Sequence, residues 1–369
     1  MKIGILTQPL ANNYGGILQN FALQTTLRRL GHSVITINIP QPLREEKLDF
    51  FRCLWRLTKR IKGDGNILFL NANKQINFFN TPGNEQERFI NKYIDKIDLP
   101  KGIDNFFYKQ HTEFDALIVG SDQVWRKAFS PNLPTYFFAE APEAIKKVAY
   151  AVSFGCDTSD IPLQEISYYS SLAKKFDAIS VREKTGIDIC RDFLHVDAEL
   201  VLDPTLLLNA IDYVDLLKIK KGSTNKSNVA AIYILDRNNQ KQRIIDEVCR
   251  SKKLIPRYIG VPTKKGFSSI ENWIETICNA NYVITDSFHG TVFSIIFQKN
   301  FITICNRERG SARFESLMKI MCLEDRLVDS KKKVDNMSYI EDIDYSLISP
   351  IIEIWKEKSL LFLNSSLQK

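Results

Sequence analysis

Along this chain, short and almost continuously apolar runs alternate with longer stretches whose apolar positions recur every three to four residues. The first pattern belongs to strands buried on both faces, the second to helices that pack by one face. Strands are expected near residues 2–7, 33–38, 115–119, 147–152, 177–181, 199–202, 229–235, 255–260, 281–285 and 300–305. Helices fall between most of them. Leu23, Leu27 and Leu30 share one face of a helix from Ile17 to Leu30, and Gly31 stands where it would end. The clearest helix covers 269–279, where Ile270, Trp273, Ile274 and Ile277 repeat at helical spacing and Ser268 with Glu271 makes a capping box. Another apolar helix is expected over Thr291–Phe297, and a closing helix from about Tyr345 to Leu363. Strands alternating with helices in this way define an α/β protein with mostly parallel sheets.

Two stretches interrupt the alternation. Residues 41–110 carry no clear strand and read as a helical insertion plus loop, while 219–228 is polar and turn-rich and makes the best domain boundary. A length of 369 residues exceeds one ordinary core. The expected division is therefore 1–218, 229–340 and a C-terminal segment, 341–369, that packs back.

Composition narrows the setting. The start, Met1-Lys2-Ile3-Gly4-Ile5, reads as a strand and not as a signal peptide, and no apolar run approaches the roughly 18 residues of a membrane span. The seven cysteines form no CxxC pair, so neither a zinc knuckle nor a redox dithiol is supported. Buried thiols of a reducing compartment are the expected role, which puts the chain in the cytoplasm. The formal charge of +7 suits anionic ligands, and no dense basic stripe calls for nucleic acid outside residues 44–62. In Leu43–Lys62, Phe50, Phe51, Leu54 and Trp55 share a helix face ringed by Arg and Lys. Packing against the N-terminal domain or a second subunit is the favoured role. Docking at the inner membrane face beside a lipid-linked acceptor is the alternative.

Ligands of open parallel sheets bind beyond the carboxyl ends of the strands, so the residues just after each strand matter most. After the first strand come Asn13, Tyr14, Gly15 and Gly16, where paired glycines at a helix start would let backbone amides approach an anion. Later strands deliver Gly120-Ser121-Asp122, Ser153-Phe154-Gly155 and Arg182-Glu183. The guanidinium fork of Arg182 suits a carboxylate or phosphate. The sharpest feature is Asp286-Ser287-Phe288-His289-Gly290-Thr291, which opens a helix at a strand end and places an imidazole at the positive helix pole. His32, His111 and His195 have no comparable setting. Arg307, Arg309 and Arg313 cross a following loop and could form an anion clamp facing His289. Asp342-Ile343-Asp344 is a helix cap sooner than a metal site, and no metal is expected.

Taken in order, these segments resemble the polysaccharide pyruvyl transferase family, with Leu202-Asp203-Pro204-Thr205 and Gly310-Ser311-Ala312-Arg313-Phe314 extending the match over about residues 2–328. The resemblance implies two Rossmann-like domains facing across a cleft, as in GT-B glycosyltransferases. It also implies transfer of the pyruvyl group of phosphoenolpyruvate to two hydroxyls of one sugar, as a cyclic ketal, with release of phosphate and no cofactor. Arg182 and His289 would contact the donor, with Ser287, Gly290, Gly15 and Gly16 around it and Arg309 or Arg313 adding charge. His289 is the expected general acid–base group, Asp122 or Glu183 would assist the acceptor hydroxyl, and Asn13, Tyr14 and Ser153 would face the acceptor. Where the family's pattern has arginine two positions before the histidine, this chain has Ser287. A nucleotide-sugar glycosyltransferase and a non-catalytic carbohydrate-binding protein are the competing readings.

Overall fold

The structure, a computed structural model, describes residues 1–41, 81–99, 114–130, 132–220, 228–261, 267–305, 310–329 and 341–368. Seven strands build the first sheet: β1 (Lys2–Leu6), β2 (Ser33–Asn38), β3 (Lys96–Asp98), β4 (Ala116–Val119), β5 (Lys146–Val152), β6 (Ala178–Val181) and β7 (Glu199–Leu200). Their order is β3-β2-β1-β4-β5-β6-β7, and every pair is parallel. Five more build the second: β8 (Val229–Tyr233), β9 (Ile255–Tyr258), β10 (Tyr282–Thr285), β11 (Asn300–Ile304) and β12 (Leu327–Val328), in the order β12-β11-β10-β8-β9, again all parallel. Both are doubly wound, Rossmann-like sheets. The chain reverses its direction of strand addition between β1 and β4 in one, and between β8 and β10 in the other. Such switch points open a crevice at the carboxyl ends of the strands.

Several boundaries differ from expectation for local reasons. Within 41–110, read as strandless, β3 pairs with β2 at the sheet edge and follows the Asn84–Tyr93 helix. Lys96-Ile97-Asp98 is too short and too charged to announce itself as a strand. The first helix begins at Tyr14, so Gly15 and Gly16 lie inside it, not in a loop before it. The cap of the Ile270–Asn279 helix is Ser269, whose side chain accepts from Asn272 N, and not Ser268. The helix after β10 runs Phe288–Ile296, three residues earlier than its apolar run suggests, because Ser287 caps it by accepting from Gly290 N at 3.4 Å. The proposed amphipathic segment Leu43–Lys62 lies outside the described residues. Among those described, no helix is long and apolar enough to cross a membrane, and no group of three or more His, Cys, Asp or Glu is arranged to hold a metal.

One apolar core runs from sheet to sheet. Tyr14, Phe21 and Phe89 on the first domain pack in the same cluster as Trp273 and Phe293 on the second, with Tyr213 in contact with both Phe21 and Phe293. The last helix, Tyr345–Leu367, returns to the first sheet. Its Phe362, Leu363 and Leu367 are buried with Ile3, Tyr150 and Val201, and Ser359 Oγ accepts from Leu202 N at 2.9 Å.

Candidate functional site

The site grows from the ends of β4, β6 and β7. Beyond β4 the chain turns through Gly120, whose φ of +129° is closed to other residues and whose added Cβ would lie 2.0 Å from the Tyr150 carbonyl oxygen. That turn lifts Asp122 toward β6, which ends by presenting Arg182. The guanidinium reaches two carboxylates: Nη2 donates to Asp122 Oδ1 at 2.9 Å and Nη1 to Asp203 Oδ2 at 2.6 Å. Asp203 is fixed from its other side, Oδ1 accepting from Thr205 N at 3.0 Å and from the Thr205 hydroxyl at 2.6 Å. All three charged groups are buried. Burial alone would raise both carboxyls. For Asp122 it is outweighed by Arg182, His289 and Arg313, and for Asp203 by His289, Arg182 and Thr205, so both are held below the ordinary carboxylate range. Arg182 is in turn held protonated by Asp122, Asp203 and Glu183 against the pull of burial.

The second domain supplies the other half. His289, in the first turn of the Phe288–Ile296 helix, is 7 % exposed and brings Nε2 to 3.7 Å from Asp203 Oδ2, a charge contact beyond hydrogen-bond reach. Its Nδ1 edge presses on the first domain. A methyl group on Gly15 would sit 2.0 Å from that nitrogen, so glycine is required there for the two domains to meet. Gly290 serves the domain's own packing, since its added Cβ would meet Thr285 Oγ1 at 2.2 Å. Phe288 takes two cations on its ring, Arg182 at 4.8 Å and Arg313 at 5.4 Å from the centroid. Arg313 is buried. Burial first and Arg182 next draw its guanidinium down to about 10, so it stays charged at neutral pH.

The structure thus brings Asp122, Arg182, His289 and Arg313 together. It places other expected site residues in supporting roles. Arg182 was to grip the donor, yet both of its Nη groups are engaged by aspartates. Glu183, the alternative to Asp122 as the acceptor's base, is fully buried, and its Oε1 accepts from Phe154 N at 2.8 Å and Gly155 N at 3.0 Å. Tyr14 was to face the acceptor. Its ring instead stacks on Trp273 at 5.6 Å, and its hydroxyl donates to the Ser268 carbonyl at 2.7 Å. That hydroxyl is pushed up to about 12 by burial, partly offset by the Ser268 side chain. Asn13 is exposed and folds its amide over Gly16, where a Cβ would come within 3.0 Å of Nδ2. Ser287 is the helix cap already described, Ser153 is fully buried, and Arg309 lies outside the described residues.

Tyr14→Phe is expected to keep the stack and lose one hydrogen bond of about 1 kcal/mol. The melting temperature should then fall by roughly 2–4 °C, with the Michaelis constant for the acceptor unchanged. Calorimetry and acceptor kinetics check both.

Sequence reasoning missed the role of Asp203, although Asp-Pro-Thr is the composition of a helical cap with proline in its first turn. It also missed Phe288 as a cation platform and Arg126 as a cleft residue. Among the described residues, Arg182 Nε, Glu183 Oε2, Ser153 Oγ and His289 Nε2 are buried without a hydrogen-bond partner, a concentration that marks where a polar ligand or water belongs. Next to the cluster is a cleft of about 540 Å³ whose walls include Arg126, Gly155, Asp157, Gly310, Glu315 and Asp329.

Two Rossmann-like sheets with a buried charged cluster at the carboxyl ends of their strands define a two-domain α/β protein. The family model for polysaccharide pyruvyl transferase matches residues 13–307, and the chain belongs to that family of transferases. No curated protein matches the sequence. Solved structures similar in fold include Acinetobacter baumannii MurG, 7% identical with a TM-score of 0.46 over 98% of this chain and 97% of that one. A Neisseria meningitidis UDP-GlcNAc 2-epimerase bound to UDP-GlcNAc gives 9% and 0.46 over 98% and 100%. A ugt transferase from Siraitia grosvenorii in complex with UDP gives 10% and 0.41 over 99% and 94%.

Proposed function

We propose that the protein transfers the pyruvyl group of phosphoenolpyruvate to two hydroxyls of one sugar in a surface polysaccharide or its precursor, forming a cyclic ketal and releasing phosphate. The observation that carries this reading, beside the family, is the closure of His289 and Arg313 from one domain onto the Asp122–Arg182–Asp203 ion pairs of the other. Phosphoenolpyruvate bears a carboxylate and a phosphate. Arg313 supplies positive charge beside the Arg182 pairs, in a site that excludes most water. Ser287 needs no arginine to replace it, because Arg313 reaches the same cluster.

The chemistry follows from these groups. His289, beside the Asp203 carboxylate, gives a proton to the methylene carbon of the enol and leaves a cationic centre at the neighbouring carbon. One sugar hydroxyl adds there and gives its proton to Asp122. The phosphate then departs, and the second hydroxyl closes the ring. Of the two hydroxyl protons, one replaces that used on the new methyl group and one leaves with phosphate. Asp122 is the better base of the two carboxylates considered, since Glu183 is fully enclosed and bonded to backbone.

Titration calorimetry of phosphoenolpyruvate against the wild type and the Arg313→Ala and His289→Ala variants tests the reading, with uridine diphosphate as control. Saturable binding of phosphoenolpyruvate is expected, weakened at least tenfold by Arg313→Ala, which removes a charge-assisted hydrogen bond of about 1.5–3 kcal/mol. Binding of uridine diphosphate alone would overturn the donor assignment and move the cleft to nucleotide-sugar chemistry.

A further inference from the structure

We propose that the 540 Å³ cleft beside the cluster is the acceptor subsite, shaped for a neutral, hydroxyl-rich sugar and not for the anionic donor. The assignment rests on the pyruvyl-transfer reading for its meaning, and on three observations for its place.

The first is position. Arg126, Gly155 and Asp157 follow β4 and β5 of the first sheet, while Gly310, Glu315 and Asp329 follow β11 and β12 of the second. The cleft therefore opens at the carboxyl ends of both sheets, where ligands of this architecture bind. It also borders the reacting groups. Gly155 N is held by Glu183 Oε1 at 3.0 Å, Gly310 stands three residues before Arg313, and an added Cβ on Gly310 would strike the Gly155 carbonyl oxygen at 1.8 Å.

The second is charge. Among its described walls the cleft has three carboxylates, Asp157, Glu315 and Asp329, and one guanidinium, Arg126. That guanidinium is engaged: Nη1 donates to Gln123 Oε1 at 2.8 Å and to the Gly155 carbonyl at 3.4 Å, and the head lies 4.3 Å from the Phe129 ring centroid. Among the described walls carboxylates therefore outnumber guanidinium groups. Carboxylates accept well from the O–H groups of a polyol, and two oxygens on one carbon suit two neighbouring hydroxyls.

The third is size. A volume of about 540 Å³ falls within the ordinary range for small-molecule pockets, which leaves room for a sugar ring.

Saturation-transfer NMR with a panel of methyl glycosides, with and without phosphoenolpyruvate, tests the assignment on the full chain. The wild type is compared with an Asp157→Asn/Glu315→Gln variant, which keeps shape and removes charge from two exposed side chains. Transfer to at least one glycoside bearing a 4,6-diol or a vicinal diol is expected, with affinity about tenfold weaker in the variant and phosphoenolpyruvate affinity unchanged by calorimetry. Absence of transfer under both conditions, or equal transfer to wild type and variant, overturns the assignment. If phosphoenolpyruvate fails to bind the wild type, the donor reading falls separately, and the glycoside comparison still decides what the cleft holds.

Discussion

Replacing Arg182 by alanine is expected to destabilise the protein by about 3–5 kcal/mol, because it leaves two buried aspartates without their cation. At roughly 2–4 °C per kcal/mol for a domain of this size, the melting temperature should fall by about 6–20 °C. The dependence on pH should weaken as well. In the native protein Asp122 and Asp203 are held below the values they have in the unfolded chain. Their contribution is present above about pH 4, the unfolded carboxyl value, and is lost as pH falls through the folded values. Without Arg182, Asp122 loses its largest counterweight to burial and its carboxyl moves up toward the unfolded value, while Asp203 keeps His289 and Thr205. Acid should then cost the variant less stability than it costs the wild type, and thermal unfolding at neutral and acid pH reads the difference directly. Arg182→Lys should fall between, since one ammonium cannot bridge both carboxylates as the planar fork does.

Gly15→Ala should abolish turnover while sparing the fold. Alanine is the better helix former, and Gly15 lies within the Tyr14–Arg29 helix, so local propensity favours the change by about 1 kcal/mol. The new methyl group, however, would occupy space 2.0 Å from His289 Nδ1, and the imidazole must yield. A displacement of about 1 Å at a reacting group can cost on the order of a hundredfold in rate. Phosphate release should therefore drop by about that factor or more, while circular dichroism keeps the wild-type helix content and the melting temperature falls with the crowding between the domains. Unchanged turnover would show that His289 is not a participant.

Much of this organisation is legible in the sequence, and the limits have physical causes. Strands such as Ala116–Val119 and Tyr282–Thr285, apolar on both faces, stand out because parallel sheets bury both sides. The edge strand Lys96–Asp98 does not, since three residues with two charges carry no period. His289 and Asp122 are visible from their positions after strands, and Arg313 from the arginines of its loop. Contacts across the chain are not. Gly15 reads as room for a ligand, but its neighbour is a histidine 274 residues away, and nothing in either local pattern joins them. Tyr14 likewise looks available at a strand end until Trp273 covers its ring. Arg182 reads as an anion clamp because its two aspartates come from separate strand ends.

The return of the Tyr345–Leu367 helix to the first sheet bears on how the protein is made. The strands of that sheet leave the ribosome earlier, and the cover that Leu23, Leu27 and Leu207 give Ile3, Tyr150 and Val201 is not complete until Phe362, Leu363 and Leu367 follow. At synthesis rates of about 5–20 residues per second, that interval is on the order of ten to thirty seconds. The nascent first domain therefore waits with an apolar face open, a natural target for chaperones. Its final folding waits for the Tyr345–Leu367 helix, not for the completion of its own strands.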